Sequence, residues 1–131
     1  MQIRRYEKRD EDAVMEIIAR EGEEWKAYYA PENAGRYKRA LEASITYVAY
    51  ENEELCGYSR SVDDNACIVI VCDLLVTPKH RGKNVGRRLM ESIFNAYPDK
   101  EVYVMSDVDA YYKKLGYKKA GSVFEVPSGR G

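Results

Sequence analysis

No stretch of this chain approaches the roughly 20 consecutive apolar residues that a membrane-spanning helix needs. Its opening residues, Met1-Gln2-Ile3-Arg4-Arg5-Tyr6, have no apolar run behind them to serve as a secretory leader. An excess of one charge is missing too: 21 Lys and Arg stand against 22 Asp and Glu, a net charge of −1, which argues against general nucleic-acid binding. These absences predict a cytoplasmic protein with neither a membrane nor a nucleic acid among its partners. Cysteine is sparse. Cys56, Cys67 and Cys72 have no metal-ligand spacing and sit in strand-like apolar segments, so they read as small core residues, and no metal cofactor is expected. The single histidine, His80, reads as an ordinary polar loop residue. Neither a G-x-x-x-x-G-K-S/T loop nor a G-x-G-x-x-G turn is present, which sets aside a nucleotide triphosphatase and a dinucleotide dehydrogenase. Repeats and interdomain linkers are absent as well. A length of 131 residues suits one domain, residues 1–131, with a loose tail from Pro127 to Gly131.

What is present is concentrated between residues 73 and 88, Asp-Leu-Leu-Val-Thr-Pro-Lys-His-Arg-Gly-Lys-Asn-Val-Gly-Arg-Arg. Lys79, Arg81, Lys83, Arg87 and Arg88 place five positive charges in ten residues with no acid among them. A charge run alone would read as a solvated face. Here, however, it follows a segment from Ala66 to Val76 that is nearly all apolar or β-branched, as a central strand buried on both faces would be. A strand that feeds a glycine-bearing helix start presents unpaired amides and the positive end of a helix dipole, which together hold a polyanion such as pyrophosphate.

The remaining pattern predicts alternating elements. Ile3 to Tyr6 reads as a strand. Asp10 then caps a helix whose Ala13, Val14, Ile17 and Ile18 share a face. A second helix fits about Asn33 to Ala43, and Ile45 to Glu51 with Leu55 to Val62 form a hairpin around Asn52-Glu53. Asp63-Asp64-Asn65 turns the chain into the central strand. Val85, Leu89, Met90, Ile93 and Phe94 give the third helix its buried face, which ends at Tyr97-Pro98-Asp99. Val102 and Val104 mark a fifth strand, and Tyr117 to Val126 reads as one or two terminal strands.

Arg81-Gly82-Lys83-Asn84-Val85-Gly86 resembles the Q/R-x-x-G-x-G/A acyl-CoA pyrophosphate loop of the GNAT superfamily of N-acetyltransferases. Asp109-Ala110-Tyr111-Tyr112-Lys113-Lys114-Leu115-Gly116-Tyr117 is similar to that family's A-x-F-Y-x-x-x-G-F segment. One position departs from the loop pattern, because Asn84 stands where the inner glycine is usual. Asn enters the left-handed region more readily than most residues, so the turn survives, although its side chain crowds the phosphate site.

The resemblance implies a single-domain α/β (α+β) GNAT fold. Its central sheet is mixed, mostly antiparallel, with six to seven strands, about four helices, and strands 4 and 5 splayed to admit acyl-CoA. It implies an acetyl-CoA-dependent N-acetyltransferase acting by direct attack of a primary amine, on a small molecule or a protein, in a ternary complex. Cofactor contacts would come from Leu74, Leu75, Val76, Arg81, Gly82, Lys83, Asn84, Val85, Gly86 and Arg87. By motif position Tyr112 is the proton donor to the departing thiolate, and Asp73 accepts the amine proton through water or holds the cation. The plainer alternatives are an aromatic anchor at Tyr112 and an ion pair at Asp73. Trp25, Tyr28, Tyr29 and Asp63 are the candidate acceptor contacts, with ordinary packing the competing reading of the aromatics. Dimers are frequent in the family, so by analogy a homodimer is a candidate assembly. The rival functional class is an acyl-CoA-binding module without catalysis, motivated by Asn84 and by the lack of an unambiguous base.

Overall fold

The computed structural model describes residues 1–129. Five strands, β1 (Gln2–Arg5), β2 (Ile45–Glu51), β3 (Glu54–Asp63), β4 (Ile68–Val76) and β5 (Glu101–Val104), form one mixed sheet in the order β1-β2-β3-β4-β5. The first three pairings are antiparallel and β4 with β5 is parallel. Five helices accompany it: α1 (Glu11–Glu21), α2 (Lys26–Tyr29), α3 (Pro31–Ala43), α4 (Val85–Ala96) and α5 (Asp109–Lys114). The six to seven strands expected from the sequence are therefore five. Residues 117–129 form no strand, and Val123, Phe124 and Val126 stand 71 to 86% exposed. An alternating pattern marks a side-chain face but does not supply the neighbouring backbone edge that a ladder needs. Of the expected tail, 127–129 is exposed and irregular, and 130–131 lies outside the described residues.

The hairpin turn at Asn52-Glu53 puts both residues at positive φ, 50° and 67°, as a tight two-residue connection requires. The α1, α2 and α3 helices cover one face of the sheet, where Val14, Ile17, Ile18, Tyr37 and Leu41 pack on Val48, Leu55, Tyr58 and Leu75. On the other face α4 brings Val85, Leu89, Met90 and Ile93 against Ile45, Ala49, Cys56, Val69 and Val71. Phe94, expected on that buried face, is 61% exposed instead. Cys67, expected in the core, is exposed in the turn before β4, whereas Cys56 is buried.

A register shift between Arg60 and Ser61 leaves Cys72 as an extra residue in β4, since Arg60 pairs with Asp73 but Ser61 with Val71. This bulge reverses the alternation along the strand. Before it Val69 and Val71 point to α4; after it Asp73 and Leu75 point to α1 and α3, and Leu74 and Val76 to α4. The strand that the sequence suggested was buried on both faces is accordingly buried at alternate residues and half-buried between them.

Asp10 does not cap α1 with its side chain. Buried at 2% exposure, it accepts two 2.8 Å bonds from Arg4, one from Tyr50 Oη at 2.8 Å and one from the Glu7 amide at 2.7 Å, tying β1, β2 and the start of α1 together. Burial disfavours its charge, but the bonds from Arg4, the Glu7 amide and Tyr50 outweigh that and hold the carboxyl below its ordinary 3.8. A depressed folded value stabilises the fold above the unfolded value and ceases to do so as pH falls through the folded one. Asp10→Asn is expected to cost on the order of 3 kcal/mol at pH 7, measured by urea unfolding, with less of the remaining stability lost on acidification below pH 3.8 than in the parent.

Candidate active site

The parallel pairing of β4 with β5 runs from Ile68 with Glu101 to Val71 with Val104 and closes with the Met105 amide on the Val71 carbonyl at 2.9 Å. Beyond the bulge β4 continues to Val76 without a partner on that side. The Thr77 amide donates to the Cys56 carbonyl at 2.9 Å, and every second residue of an antiparallel strand faces its partner. Leu75 therefore bonds back to β3, while Leu74 and Val76 turn their backbone groups into the opening. The β4–β5 ladder ends where β5 itself ends, at Val104 opposite Val71, one residue before the bulged Cys72.

From there the chain passes through a 3-10 turn, Pro78–His80, and a loop into α4. Gly82 and Asn84 both lie in the left-handed region, φ 80° and 65°. Asn84 thus fills the glycine's backbone role, and its side chain makes no capping bond. The amides of Val85, Gly86 and Arg87, in the first turn of α4, have no helical acceptor. A Cβ at Gly86 would stand 2.2 Å from Tyr111 Oη and 3.6 Å from Leu74 Cδ2, so Tyr111 packs directly on the backbone of the helix start and only glycine fits there.

Of the five cations near this cradle, two are engaged elsewhere. Lys79 pairs with Glu54 at 3.1 Å. Arg81 donates Nε to the Val76 carbonyl at 2.9 Å and Nη2 to Glu21 at 2.7 Å, and its amide reaches the Pro78 carbonyl at 3.3 Å. Arg81 is therefore a strut that fastens the loop to α1, which leaves Lys83, Arg87 and Arg88 as the cations of the loop and first turn. Arg87 lies 3.8 Å from Glu91 on the exposed side of α4.

Asp73, just past the bulge, is 5% exposed and has three partners. Arg60 Nε donates to Oδ2 at 2.6 Å, Tyr37 Oη to Oδ2 at 2.8 Å, and Tyr28 Oη to Oδ1 at 3.0 Å. Tyr37 and Tyr58 share a 2.6 Å hydroxyl contact, and the Arg60 guanidinium lies 5.5 Å from the Tyr37 ring centre. Burial works against the Arg60 charge, yet the hydrogen bond and attraction of Asp73 outweigh it and raise its pKa. Burial first, and the Asp73 charge second, push Tyr28 up to about 12. These phenols keep their protons at neutral pH. A carboxylate offers about four acceptor positions, so one remains on Oδ1.

Trp25 packs edge-on against Tyr28 at 5.6 Å, and Tyr28 stacks on Tyr37 at 4.5 Å. Trp25 and Tyr28 thus line one side of the Asp73 cluster, with Tyr29 packed against the same core. Asp63 is not brought to this group. It pairs with Val69, four residues down β4 from Asp73 and roughly 13 Å away at about 3.3 Å per residue, where it is held by Lys100 and accepts from the Asn65 amide. Tyr112 is 9% exposed, edge-on to Tyr111 at 5.0 Å and stacked on Tyr117 at 6.0 Å. Burial, with smaller contributions from Tyr111, Tyr117 and Asp107, pushes its pKa up to about 12.

The sequence reading missed Arg60, Tyr58 and Tyr111. Arg60 and Tyr58 lie on a strand whose apolar alternation gave no sign that Asp73 faced them. Tyr111 stood beside Tyr112 in the motif, but only the fold lays its hydroxyl on Gly86.

With this geometry in hand, residues 42–119 match the Acetyltransferase (GNAT) domain, and the chain belongs to that family. It is 29% identical over 86 residues to protein ElaA of Escherichia coli, a match covering 60% of this chain and 56% of that protein. The chain thus spans about half the length of the curated relatives it matches. Among solved structures it resembles the GNAT family acetyltransferase SP0256 from Streptococcus pneumoniae, with 19% identity, TM-score 0.75 and coverage of 97% of this chain and 98% of that one. It also resembles AAC(6')-Iy, solved with the bisubstrate analogue CoA-S-monomethyl-acetylneamine, with 12% identity, TM-score 0.76 and 97% of both chains covered. At such identities these two likenesses speak for the fold.

Removing one partner of the Arg60–Asp73 pair leaves a buried charge uncompensated. Arg60→Met alone is expected to cost about 3 to 5 kcal/mol. In a double-mutant cycle by chemical denaturation, Asp73→Asn combined with Arg60→Met should cost less than the sum of the two single changes.

Proposed function

We propose that this chain transfers an acetyl group from acetyl-CoA to the primary amine of a small molecule or protein. The observation that carries the reading is that the edge of β4 left without a neighbouring strand at Leu74 leads, through a turn with left-handed residues at 82 and 84, to the free amides of the first turn of α4. These residues fit the co-substrate. Leu74 and Val76 would hold its amide-bearing arm. Gly82 to Arg87, with Lys83 and Arg87 supplying charge, would hold its diphosphate. Acetyl-CoA brings the activated thioester; the chain supplies orientation and proton handling. The related fold crystallised with a CoA bisubstrate analogue supports the same reading.

An outward amide at the bulge end of β4 is the donor for the carbonyl oxygen that gains charge, a contribution of a few kcal/mol in comparable sites. Tyr112 Oη is the donor to the leaving sulfur. A departing thiolate, with a conjugate acid near 8.5, is a weaker base than a phenolate near 12, so Tyr112 keeps its proton and stabilises the leaving sulfur by donating a hydrogen bond, while the thiol proton comes from the acceptor amine by way of water. The acceptor amine must lose its own proton, which costs roughly 4 to 5 kcal/mol at pH 7 for a lysine-like ammonium but about 1 kcal/mol for an α-amino group. Asp73 serves this step as a positioning residue. Its negative charge and remaining Oδ1 acceptor site draw the cation toward Tyr28 and Trp25, and a bridging water carries the proton away. Asp63, held by Lys100, is left out of the acceptor site. Asn84 at φ 65° gives the glycine's backbone conformation.

Thiol release from acetyl-CoA across polyamines, amino acids, aminoglycosides and peptides tests the activity; saturable cofactor binding with no turnover on any of them would favour the module. In Tyr112→Phe the fold and acetyl-CoA affinity should be retained while kcat falls on the order of 100-fold, and an unchanged kcat removes Tyr112 from the mechanism. Asp73→Asn should raise KM for the acceptor amine more than it lowers kcat, read from initial rates. For Gly86→Ala the added methyl must displace Tyr111 and narrow the cradle. A rise in KM for acetyl-CoA of roughly 10-fold or more, equivalent to about 1.4 kcal/mol, is the expected outcome from initial rates.

A further inference from the structure

Beside the cradle, at the hairpin end of the sheet, a second cluster converges that acetyl transfer does not use. Glu51 closes β2, Cys56 is the extra residue where the β2–β3 register shifts, and His80 ends the 3-10 turn that follows β4. One ligand atom from each lies within 4.8 Å of the others. His80 is 4% exposed and Cys56 fully buried, in contrast to the loop histidine expected from the sequence.

His80 Nδ1 lies 2.8 Å from Thr77 Oγ1, and its Nε2 faces Glu51 Oε2 at 3.8 Å and Glu54 Oε2 at 3.9 Å. Those separations are too long for hydrogen bonds between the ring and either carboxylate. A cation placed among these atoms would engage all of them.

We propose that Glu51, Cys56 and His80 bind a zinc-class divalent cation, with Glu54 or water completing four ligands. An imidazole, a thiolate and a carboxylate are the donor types that such an ion takes in tetrahedral geometry, whereas magnesium and calcium demand oxygen ligands. The outer contacts suit the role, because Thr77 orients the imidazole through Nδ1 and Lys79 holds Glu54 at 3.1 Å. Zinc–sulfur and zinc–nitrogen bonds of about 2.3 and 2.0 Å put ligand atoms roughly 3.5 Å apart. The cluster must therefore contract by on the order of 1 Å, chiefly at Glu51, whose side chain is 40% exposed. Burial, reinforced by Glu51 and Glu54, raises the Cys56 thiol above its ordinary value. At neutral pH the metal therefore replaces the thiol proton: a sulfur–metal bond forms, the sulfur–hydrogen bond breaks, and one proton passes to solvent. The ion would clip the β2–β3 hairpin to the turn whose next residue, Arg81, opens the cradle.

The test is titration of the metal-stripped full chain with Co2+ and then Zn2+. The expected result is one equivalent bound, a thiolate-to-cobalt charge-transfer band, one proton released, and a zinc-dependent rise in Tm that a chelator reverses. Cys56→Ser should abolish the band. Glu51→Gln, which changes a half-exposed side chain and leaves the core intact, should weaken Co2+ binding roughly 10- to 100-fold. Absence of the band, of proton release and of any Tm shift would overturn the proposal. So would a band lost in Cys67→Ser but kept in Cys56→Ser, or an unchanged cobalt affinity in Glu51→Gln.

Discussion

One extra residue in β4 organises this molecule. With Cys72 bulged out, the strand after it presents Asp73 and Leu75 to the face opposite Val69 and Val71, so that Asp73 meets Arg60, Tyr37 and Tyr28. A carboxylate at 5% exposure is tolerated only with partners of this kind, because desolvation of an unpaired charge outweighs the gains of ordinary packing. The pairing with β5 ends one residue before the bulge. A single local irregularity thus anchors the aromatic wall beside the opening.

The turn between β4 and α4 is shaped by backbone geometry more than by accumulated charge. Five cations are close in sequence, but Lys79 and Arg81 are tied to Glu54 and Glu21, and Arg81 also braces the Val76 carbonyl. Those ties cost the site some positive potential and hold the loop in the one shape that aims the amides of α4 outward. Left-handed residues at 82 and 84 and a side chain of hydrogen alone at 86 complete that shape. Tyr111, whose hydroxyl rests on Gly86, couples α5 to the start of α4. Among the described residues no helix is long and apolar enough to cross a membrane, in keeping with the absence of long apolar runs.

Elements whose cues are local were legible in advance. Asn52-Glu53 announced its turn because both residues must take positive φ, and the apolar spacing of α4 announced its buried face at Val85, Leu89, Met90 and Ile93. The left-handed turn in the loop at 81–86 was legible for the same reason. Partnerships across the sheet were not. Asp10 looked like a helix cap and is the buried counterion of Arg4; Asp63 looked like an acceptor contact and is held by Lys100; His80 looked like a loop residue and is buried beside Cys56. The segment from Tyr117 to Val126 looked like strand and has no edge to join.

The amino-acid order by itself determined α1, α3 and α4, the strands up to β5, the left-handed turn and the family, since each depends on residues within a few positions of one another, whereas the short α2 was not foreseen. Only the tertiary structure decided which side of β4 Asp73 occupies, which cations remain free, and that Glu51, Cys56 and His80 meet. The reason is that a bulge is a mismatch between two strands. No single strand's sequence contains that mismatch, yet it reverses the facing of every side chain that follows.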